Sequence, residues 1–173
     1  MLISKKLNTL LCEQVGHELS ASHQYVAIAT YFDQAALPTM GKHYYAQALE
    51  EREHAMRLVK IVLDSDGVLK IPAVPAPKME FKNSLEAVQV ALDGELRVTA
   101  QINGLVDQAI ADKDHLSRNA LEWFVNEQRE EVSSATTLVH MVKRAGESGM
   151  FFVETFLKEG GLAENGEGGE GAE

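Results

Sequence analysis

The sequence has few cysteines, few prolines and no long apolar run, and each shortage excludes a class of protein. Its single cysteine, Cys12, allows no disulfide within the chain, which favours a reducing compartment. No segment reaches the roughly 18 consecutive apolar residues of a membrane span. The N-terminus lacks the apolar region and the small-residue cleavage site of a secretory signal. These absences predict a mature cytoplasmic protein with no membrane partner.

Basic residues are also in the minority. Acidic residues outnumber them 26 to 16, which gives a formal net charge of -10. This balance argues against a nucleic-acid partner and is compatible with cation binding. Because 45% of the 173 residues are hydrophobic, the chain can bury the core of one domain. We predict a folded domain over residues 1–160 and a disordered acidic tail, rich in glycine and glutamate, over 161–173.

The 4 prolines leave long segments free for helix formation. Apolar residues recur at spacings of three and four along 4–33, 39–66, 84–111 and 116–145, which predicts four helices. The link before residue 84 is long enough to run the length of a bundle, whereas the other two links are short. The prediction is an all-α four-helix bundle with one long crossover. A short apolar segment, 148–159, predicts a fifth helix that either packs on its own bundle or contacts another subunit.

One glutamate interrupts the apolar stripe of each long helix. These residues are Glu18, Glu51, Glu95 and Glu127. At about 1.5 Å of rise per residue, hairpin folding brings all four to a similar level in the middle of the bundle. A single glutamate on an apolar stripe usually reaches solvent at the edge of the helix, but four at one level are not explained in that way.

Four buried carboxylates need compensating cations, because desolvation and mutual repulsion would otherwise force them to take up protons. His54 follows Glu51 by three residues, so both side chains can reach one ligand from the same helix face. Glu-x-x-His on one helix, with glutamates on its neighbours, is typical of di-iron carboxylate sites. The sequence therefore predicts a buried iron centre.

Three segments carry a family resemblance: HELSASHQYVAIATYFD, HYYAQALEEREHA and LEWFVNEQREEV. With them, the chain from about Leu2 to Glu159 resembles the non-haem bacterial ferritins of actinobacteria. The resemblance implies a ferritin-like fold and an intra-subunit dinuclear ferroxidase centre, which oxidises Fe(II) to Fe(III) with O2 or H2O2. It also implies a homo-oligomer, a 24-subunit cage that stores the product as ferric oxyhydroxide mineral.

The resemblance also implies roles for individual residues. Glu18, Glu51 and His54 resemble the ligands of the first iron, and Glu51 would bridge to a second iron held by Glu95 and Glu127. Gln128 would lie beside the second iron as one of the metal-binding residues. Tyr25 would form a hydrogen bond into the centre, and Trp123 would lie near it. A possible third iron site, as found in bacterial ferritins, would be formed by four carboxylates: Glu50, Glu127, Glu130 and Glu131.

Two departures separate the chain from haem-containing bacterioferritins. Glu130 stands where those proteins have the histidine of a second Glu-x-x-His, and Arg52 stands in place of their haem-ligating methionine. Haem is therefore not expected. One alternative is a di-iron peroxidase or oxidase of the same superfamily without mineral storage, and another is a non-catalytic helical assembly. Asp112 and Asp114, between the third and fourth helices, are candidates for either an iron channel or simple turn formation.

Overall fold

The computed structural model describes residues 2–162 and is all-α in this range. Four long helices precede a single turn of 3-10 helix, Glu147–Gly149, and a short last helix. The α-helices are α1 (Lys5–Gln34), α2 (Pro38–Asp64), α3 (Ser84–Ala111), α4 (His115–Ala145) and α5 (Met150–Lys158). Each end of the four long helices lies within two residues of its predicted position.

Side-chain caps explain where several of the helices begin. Ser4 accepts a hydrogen bond from the amide of Leu7 at 3.0 Å and thereby caps α1. Asn83 caps α3 in the same way, since its side chain accepts a hydrogen bond from the amide of Glu86 at 2.8 Å. At the C-terminal end of α4, Gly146 follows the helix with a φ of +59°, a conformation that glycine adopts without steric cost.

The two aspartates between α3 and α4 both take part in local contacts. Asp114 caps α4 by accepting from the amide of Ser117 at 3.0 Å. Asp112 accepts from the Ser4 hydroxyl at 2.5 Å and from the Gln108 amide at 2.8 Å. These contacts agree with the turn-forming role, and an iron-channel role for the same residues stays a prediction.

The crossover between α2 and α3 runs parallel to α1 along the length of the bundle. The Asn8 side chain exchanges hydrogen bonds with the backbone of Val68, and Gln24 does the same with Lys78 further along the helix. Between these points Pro72 lies so close to Gly16 that an added Cβ would be 2.2 Å from its Cγ. The close approach therefore requires glycine, and the predicted single long crossover is confirmed.

Helix α1 packs on α2 and α3, and α3 packs on α4. The core consists of two apolar clusters at different heights. One is built around Phe32, Tyr44 and Leu138, and the other around Leu11 and Phe124. A layer of buried polar side chains lies between them, in the middle of the bundle, as the predicted height of the glutamates required.

Helix α5 has one buried face and one exposed face. Met150 and Val153 are buried against the bundle, and Glu154 accepts from the amides of Thr39 and Met40 at 2.6 and 3.0 Å. On the other face Phe151 and Phe152 are 75% and 74% exposed. Packing on its own bundle is thus confirmed for one face only.

The chain beyond Leu162, which includes almost all of the predicted acidic tail, lies outside the described residues. Across residues 2–162, none of the helices combines the length and the apolar character that crossing a membrane would need.

Candidate metal centre

The polar layer contains four ionisable side chains from three helices. Glu18 comes from α1, Glu51 and His54 from α2, and Glu95 from α3, and none is more than 4% exposed. Carboxylates are rarely buried without a partner, because the loss of hydration strongly disfavours the charged form. The layer therefore either takes up protons or binds cations.

Together with two glutamates of α4, these side chains form three overlapping groups that could hold a metal ion. In each group one potential ligand atom per residue lies within 4.8 Å of the others. The groups are Glu18 with Glu51 and His54, Glu51 with Glu95 and Glu131, and His54 with Glu127 and Glu131. Glu51 is shared by the first two groups, so the arrangement suits two neighbouring ions with one bridging carboxylate.

Helix α4 carries two glutamates, Glu127 and Glu131, at partly buried positions. Gln128 is 4% exposed and Glu131 has a side-chain exposure of 9%, whereas Glu127 lies at the edge of the buried face. The prediction followed a stripe through Glu127, but Phe124, Glu131 and Leu138 form a stripe with a strict spacing of seven. This spacing is the sequence feature that could have indicated Glu131 as a second inward carboxylate.

Two carboxylate oxygens of the layer have no protein partner. Glu18 Oε2 and Glu51 Oε2 are fully buried, and within the described chain nothing donates a hydrogen bond to either. Buried polar atoms are nearly always hydrogen-bonded, so an unpaired pair at the meeting point of three helices is typical of a site for a cation.

The pKa values of the carboxyl groups also show that their ionised forms are unfavourable in this layer. Burial, followed by repulsion from Glu95, Glu18 and Glu131, raises the pKa of Glu51 well above its usual value. Burial and the neighbouring carboxylates raise the pKa of Glu131 to about 10. Without a cation, the layer therefore retains protons at neutral pH, and a bound cation would displace them.

His54 is neutral in this environment. Burial, assisted by the positive charge of Arg57, lowers the pKa of His54 to about 4. Its Nδ1 lies 3.6 Å from Glu51 and 3.7 Å from Glu131, so these approaches are not ion pairs. The imidazole packs edge-to-face on Trp123 at 5.3 Å, and Arg57 lies 4.0 Å above the Trp123 ring. A neutral, oriented imidazole is ready to bind a metal.

The chain is similar to known proteins over nearly its whole described length. The sequence profile of the Ferritin-like domain family matches residues 8–145. The chain belongs to the ferritin family. Ferritin BfrB of Mycolicibacterium smegmatis is 44% identical over 155 residues, which cover 90% of this chain and 85% of that protein. A bacterial non-heme ferritin of Staphylococcus haemolyticus is 36% identical, with 84% and 88% of the two chains covered.

Solved structures agree with the sequence relatives. An open pore ferritin from the archaeon Archaeoglobus fulgidus superposes with a TM-score of 0.87 at 32% identity. The match covers 90% of this chain and 96% of that one. The predicted ferritin fold is therefore confirmed. Iron storage and oxidation of Fe(II) at a ferroxidase centre are confirmed with it, since the family assignment and the carboxylate–histidine groups agree.

In this ferritin chain, several side chains donate hydrogen bonds to the carboxylates of the centre. Tyr25, predicted to contact the centre, donates a hydrogen bond from its hydroxyl to Glu95. Gln14 donates from its amide to Glu18 Oε1 at 2.8 Å, a contact that the sequence did not predict. Each donor fixes the direction of one carboxylate, so the site is ordered before a cation arrives.

The remaining predicted residues lie at the margin of the centre. Glu50 is on the exposed side of α2 and accepts from Gln47. Glu130 has a side-chain exposure of 39% and lies 3.4 Å from the Arg129 guanidinium. Within residues 2–162, neither one belongs to a group close enough to hold a metal ion. Their iron-binding role stays a prediction.

A groove of about 850 Å³ between α2 and α4 connects the centre with the surface. Tyr25 and Ala91 line it, and Glu50, Glu127 and Glu131 border it on the two helices. At its far end the groove reaches α5 near Leu157. The centre of this ferritin is therefore open on one side, toward the α4 carboxylates.

Proposed function

We propose that the ferroxidase centre of this chain is dinuclear and lies within one subunit. Glu18, Glu51 and His54 bind the first iron, and Glu51, Glu95 and Glu131 bind the second. The observation that carries this assignment is the pair of buried oxygens, on Glu18 and Glu51, that lack a protein hydrogen-bond donor. Glu131 replaces the predicted Glu127 because its side chain lies with Glu51 and Glu95.

The residues present suit iron as the substrate. Carboxylate oxygens with one imidazole form a hard ligand set that favours iron and stabilises the ferric state. Two Fe(II) ions held by a shared Glu51 supply two electrons to one molecule of O2 or H2O2. Protons held by the carboxylates leave as the ions bind, because the ligands must be ionised to coordinate them.

A third position lies beside the second. Glu127 and Glu131 approach His54 within 4.8 Å, and Glu50 borders the same groove. We assign this position to transit of iron between the centre and the groove, since Glu127 is only partly buried and Glu50 is exposed. Glu130 belongs to this proposal by family resemblance alone.

Storage requires a shell, and one bundle encloses nothing. We propose the 24-subunit cage that the resemblance implied, located in the cytoplasm. The exposed pair Phe151 and Phe152 on α5 supports an assembly, because adjacent aromatic side chains more than two-thirds exposed are costly on an isolated subunit.

Sedimentation and iron loading test these assignments together. The metal-free protein is sized by analytical ultracentrifugation, titrated anaerobically with Fe(II) and then exposed to O2 or H2O2. We expect a particle of about 24 subunits, two tight Fe(II) per chain and rapid growth of ferric absorbance with retained mineral. A small particle that oxidises iron without retaining it would instead favour the di-iron oxidase alternative.

A further inference from the structure

Gln128 is buried beside the proposed ligands of the second iron. The direction of its side-chain amide decides whether its carbonyl oxygen or its N–H groups face those ligands. Its Nε2 donates to Glu95 Oε2 at 3.4 Å and, through a shorter contact, to Glu131 Oε2. Its Oε1 points away from the carboxylates and accepts from the Thr99 hydroxyl at 2.8 Å. In this direction the amide carbonyl faces Thr99, and only N–H groups face the metal ligands.

The reverse orientation would lose the two hydrogen bonds that the observed orientation makes to Glu95 and Glu131. It would place the carbonyl oxygen of Gln128 against these carboxylates, and a carboxylate that is ionised for metal binding has no proton to donate to it. It would also turn the amide N–H groups away from two carboxylates and toward the single hydroxyl of Thr99. The two carboxylates therefore select the observed orientation electrostatically.

Thr99 anchors this orientation. Its hydroxyl proton has two acceptors at 2.8 Å, Gln128 Oε1 and the backbone carbonyl of Glu95. The Glu95 carbonyl already receives the helical amide four residues on, as every interior carbonyl of an α-helix does. Among the described residues, Gln128 Oε1 has no other donor, so donation to it satisfies one more buried group.

We propose that Gln128 is a positioning residue and not an iron ligand. Its two amide hydrogens join a carboxylate of α3 to one of α4, and Thr99 holds the amide in the required direction. The pair thus fixes the spacing of Glu95 and Glu131 before iron binds. This inference rests on the proposed function, and it departs from the sequence-based prediction that Gln128 is among the metal-binding residues.

A second glutamine, Gln14, lies beside the ligands of the first iron, and the comparison shows how Gln128 differs from it. Gln14 donates to Glu18 at 2.8 Å and to Gln101 Oε1 at 3.4 Å, so it orients a single ligand carboxylate. Gln128 instead bridges two carboxylates on different helices. Loss of its orientation therefore affects the second metal position and leaves the first unchanged.

The experiment compares Thr99→Val, which removes the hydroxyl at nearly constant volume, with Thr99→Ser, which keeps it. Zn²⁺ binding to the assembled, metal-free protein is measured by calorimetry, and Co²⁺ at the site is observed by visible absorption. We expect Thr99→Val to weaken one of two tight Zn²⁺ equivalents by about 10-fold, the lower range for second-layer contacts of metal ligands. Its Co²⁺ spectrum changes, its KM for Fe(II) rises more than its kcat falls, and Thr99→Ser resembles the wild type.

The outcomes are distinguishable. Unchanged or tighter Zn²⁺ binding in Thr99→Val, with the wild-type Co²⁺ spectrum, overturns the inference, because freeing the carbonyl of a true ligand would not weaken binding. A lower melting temperature with normal metal binding assigns Thr99 a merely structural role and also overturns it. If Thr99→Val does not assemble, Thr99→Ala removes the same hydroxyl and is measured instead. Failure of the wild type to bind two ions contradicts the proposed function itself.

Discussion

The two halves of the metal centre use the same ligand chemistry in different surroundings. The half on α1 and α2 is closed, with Glu18 and Glu51 each 1% exposed and His54 4% exposed. The half on α3 and α4 borders the groove, where Glu131 is 9% exposed in its side chain and Glu127 is more open. From this difference in burial we expect the first half to hold an ion more firmly than the second.

Packing explains why the first half is closed. Tyr44 on α2 stacks between two α1 side chains, Tyr25 at 5.6 Å and Phe32 at 5.7 Å, which ties the two helices together through aromatic contact. The Ser22 hydroxyl adds a hydrogen bond to the Ala48 carbonyl at 2.6 Å across the same hairpin. On the groove side the carboxylates of α4 face open space instead of a packed neighbour.

Glu51→Gln removes the ligand common to both halves and carries the largest expected effect. We expect loss of the paired site and a fall in the Fe(II) oxidation rate of more than about 100-fold, because changes outside the ligand set already cost 10- to 100-fold. Stopped-flow absorbance of ferric product measures the rate. The metal-free variant should melt at a higher temperature than the wild type, since one buried acid is removed from a repulsive cluster.

Glu53→Gln is the matched control for this variant, because Glu53 lies on the exposed face of the same helix turn. It should oxidise iron at the wild-type rate. Rapid oxidation by Glu51→Gln would show that the two halves do not share a ligand.

The pair Glu131→Gln and Glu127→Gln tests the difference between buried and marginal carboxylates on α4. Glu131→Gln should bind one tight Zn²⁺ per chain instead of two, because Glu131 completes the group with Glu51 and Glu95. Glu127→Gln should retain both and weaken only a further, looser site. Calorimetric titration of the assembled protein gives both stoichiometries. The reverse result would restore the sequence-based assignment of Glu127 to the second iron.

This difference between the halves also marks the limit of what the sequence predicts. The first half could be predicted because Glu18, Glu51 and His54 lie on helices whose faces are unambiguous, with Glu51 and His54 three residues apart. On α4 the glutamates at 127 and 131 lie one turn apart, and a stripe can be drawn through either. Burial of Gln128 resolves the face, but a glutamine in a core is not expected from its polarity.

Some features of the fold could also be predicted from the sequence, and others could not. Helix bounds and the long crossover follow from proline placement, caps and apolar spacing, which are local features of the chain. The groove between α2 and α4 could not be predicted, because it depends on how far two helices that are distant in sequence separate. The two faces of α5, one buried and one exposed, could not be predicted for the same reason. The sequence of a short apolar segment does not indicate which of its aromatic side chains pack against the bundle.

A smaller expected effect is the pH dependence of the stability of the metal-free protein, which depends on Glu131 in the open half. Burial and repulsion raise the pKa of Glu131 to about 10, above an unfolded value of about 4.3. A raised pKa stabilises the metal-free fold fully below about pH 4.3, and this contribution is lost as the pH rises through the folded value. The melting temperature of the metal-free protein should therefore fall between pH 6 and pH 9 by about 10 °C, because roughly 1.4 kcal/mol of stability is lost per pH unit.

Calorimetric melting at several pH values measures this slope. Glu131→Gln should flatten it, and Zn²⁺ should reverse it by stabilising the ionised carboxylates. Glu122→Gln, at an exposed position on the same helix, should keep the wild-type slope. A melting temperature of the metal-free wild type that rises over this range would contradict the buried, protonated state of the carboxylates.

Glu130→Ala has the smallest expected effect. It tests whether Glu130 belongs to the metal-binding residues of the open half. Glu130 is one residue from Glu131, but its side chain is 39% exposed and lies 3.4 Å from the Arg129 guanidinium. An exposed carboxylate already paired with a cation contributes little to a neighbouring metal site. We expect a change of less than about twofold in oxidation rate and Zn²⁺ affinity, measured beside Glu131→Gln. A large loss would extend the third iron position to Glu130 and make the open half wider than its buried ligands indicate.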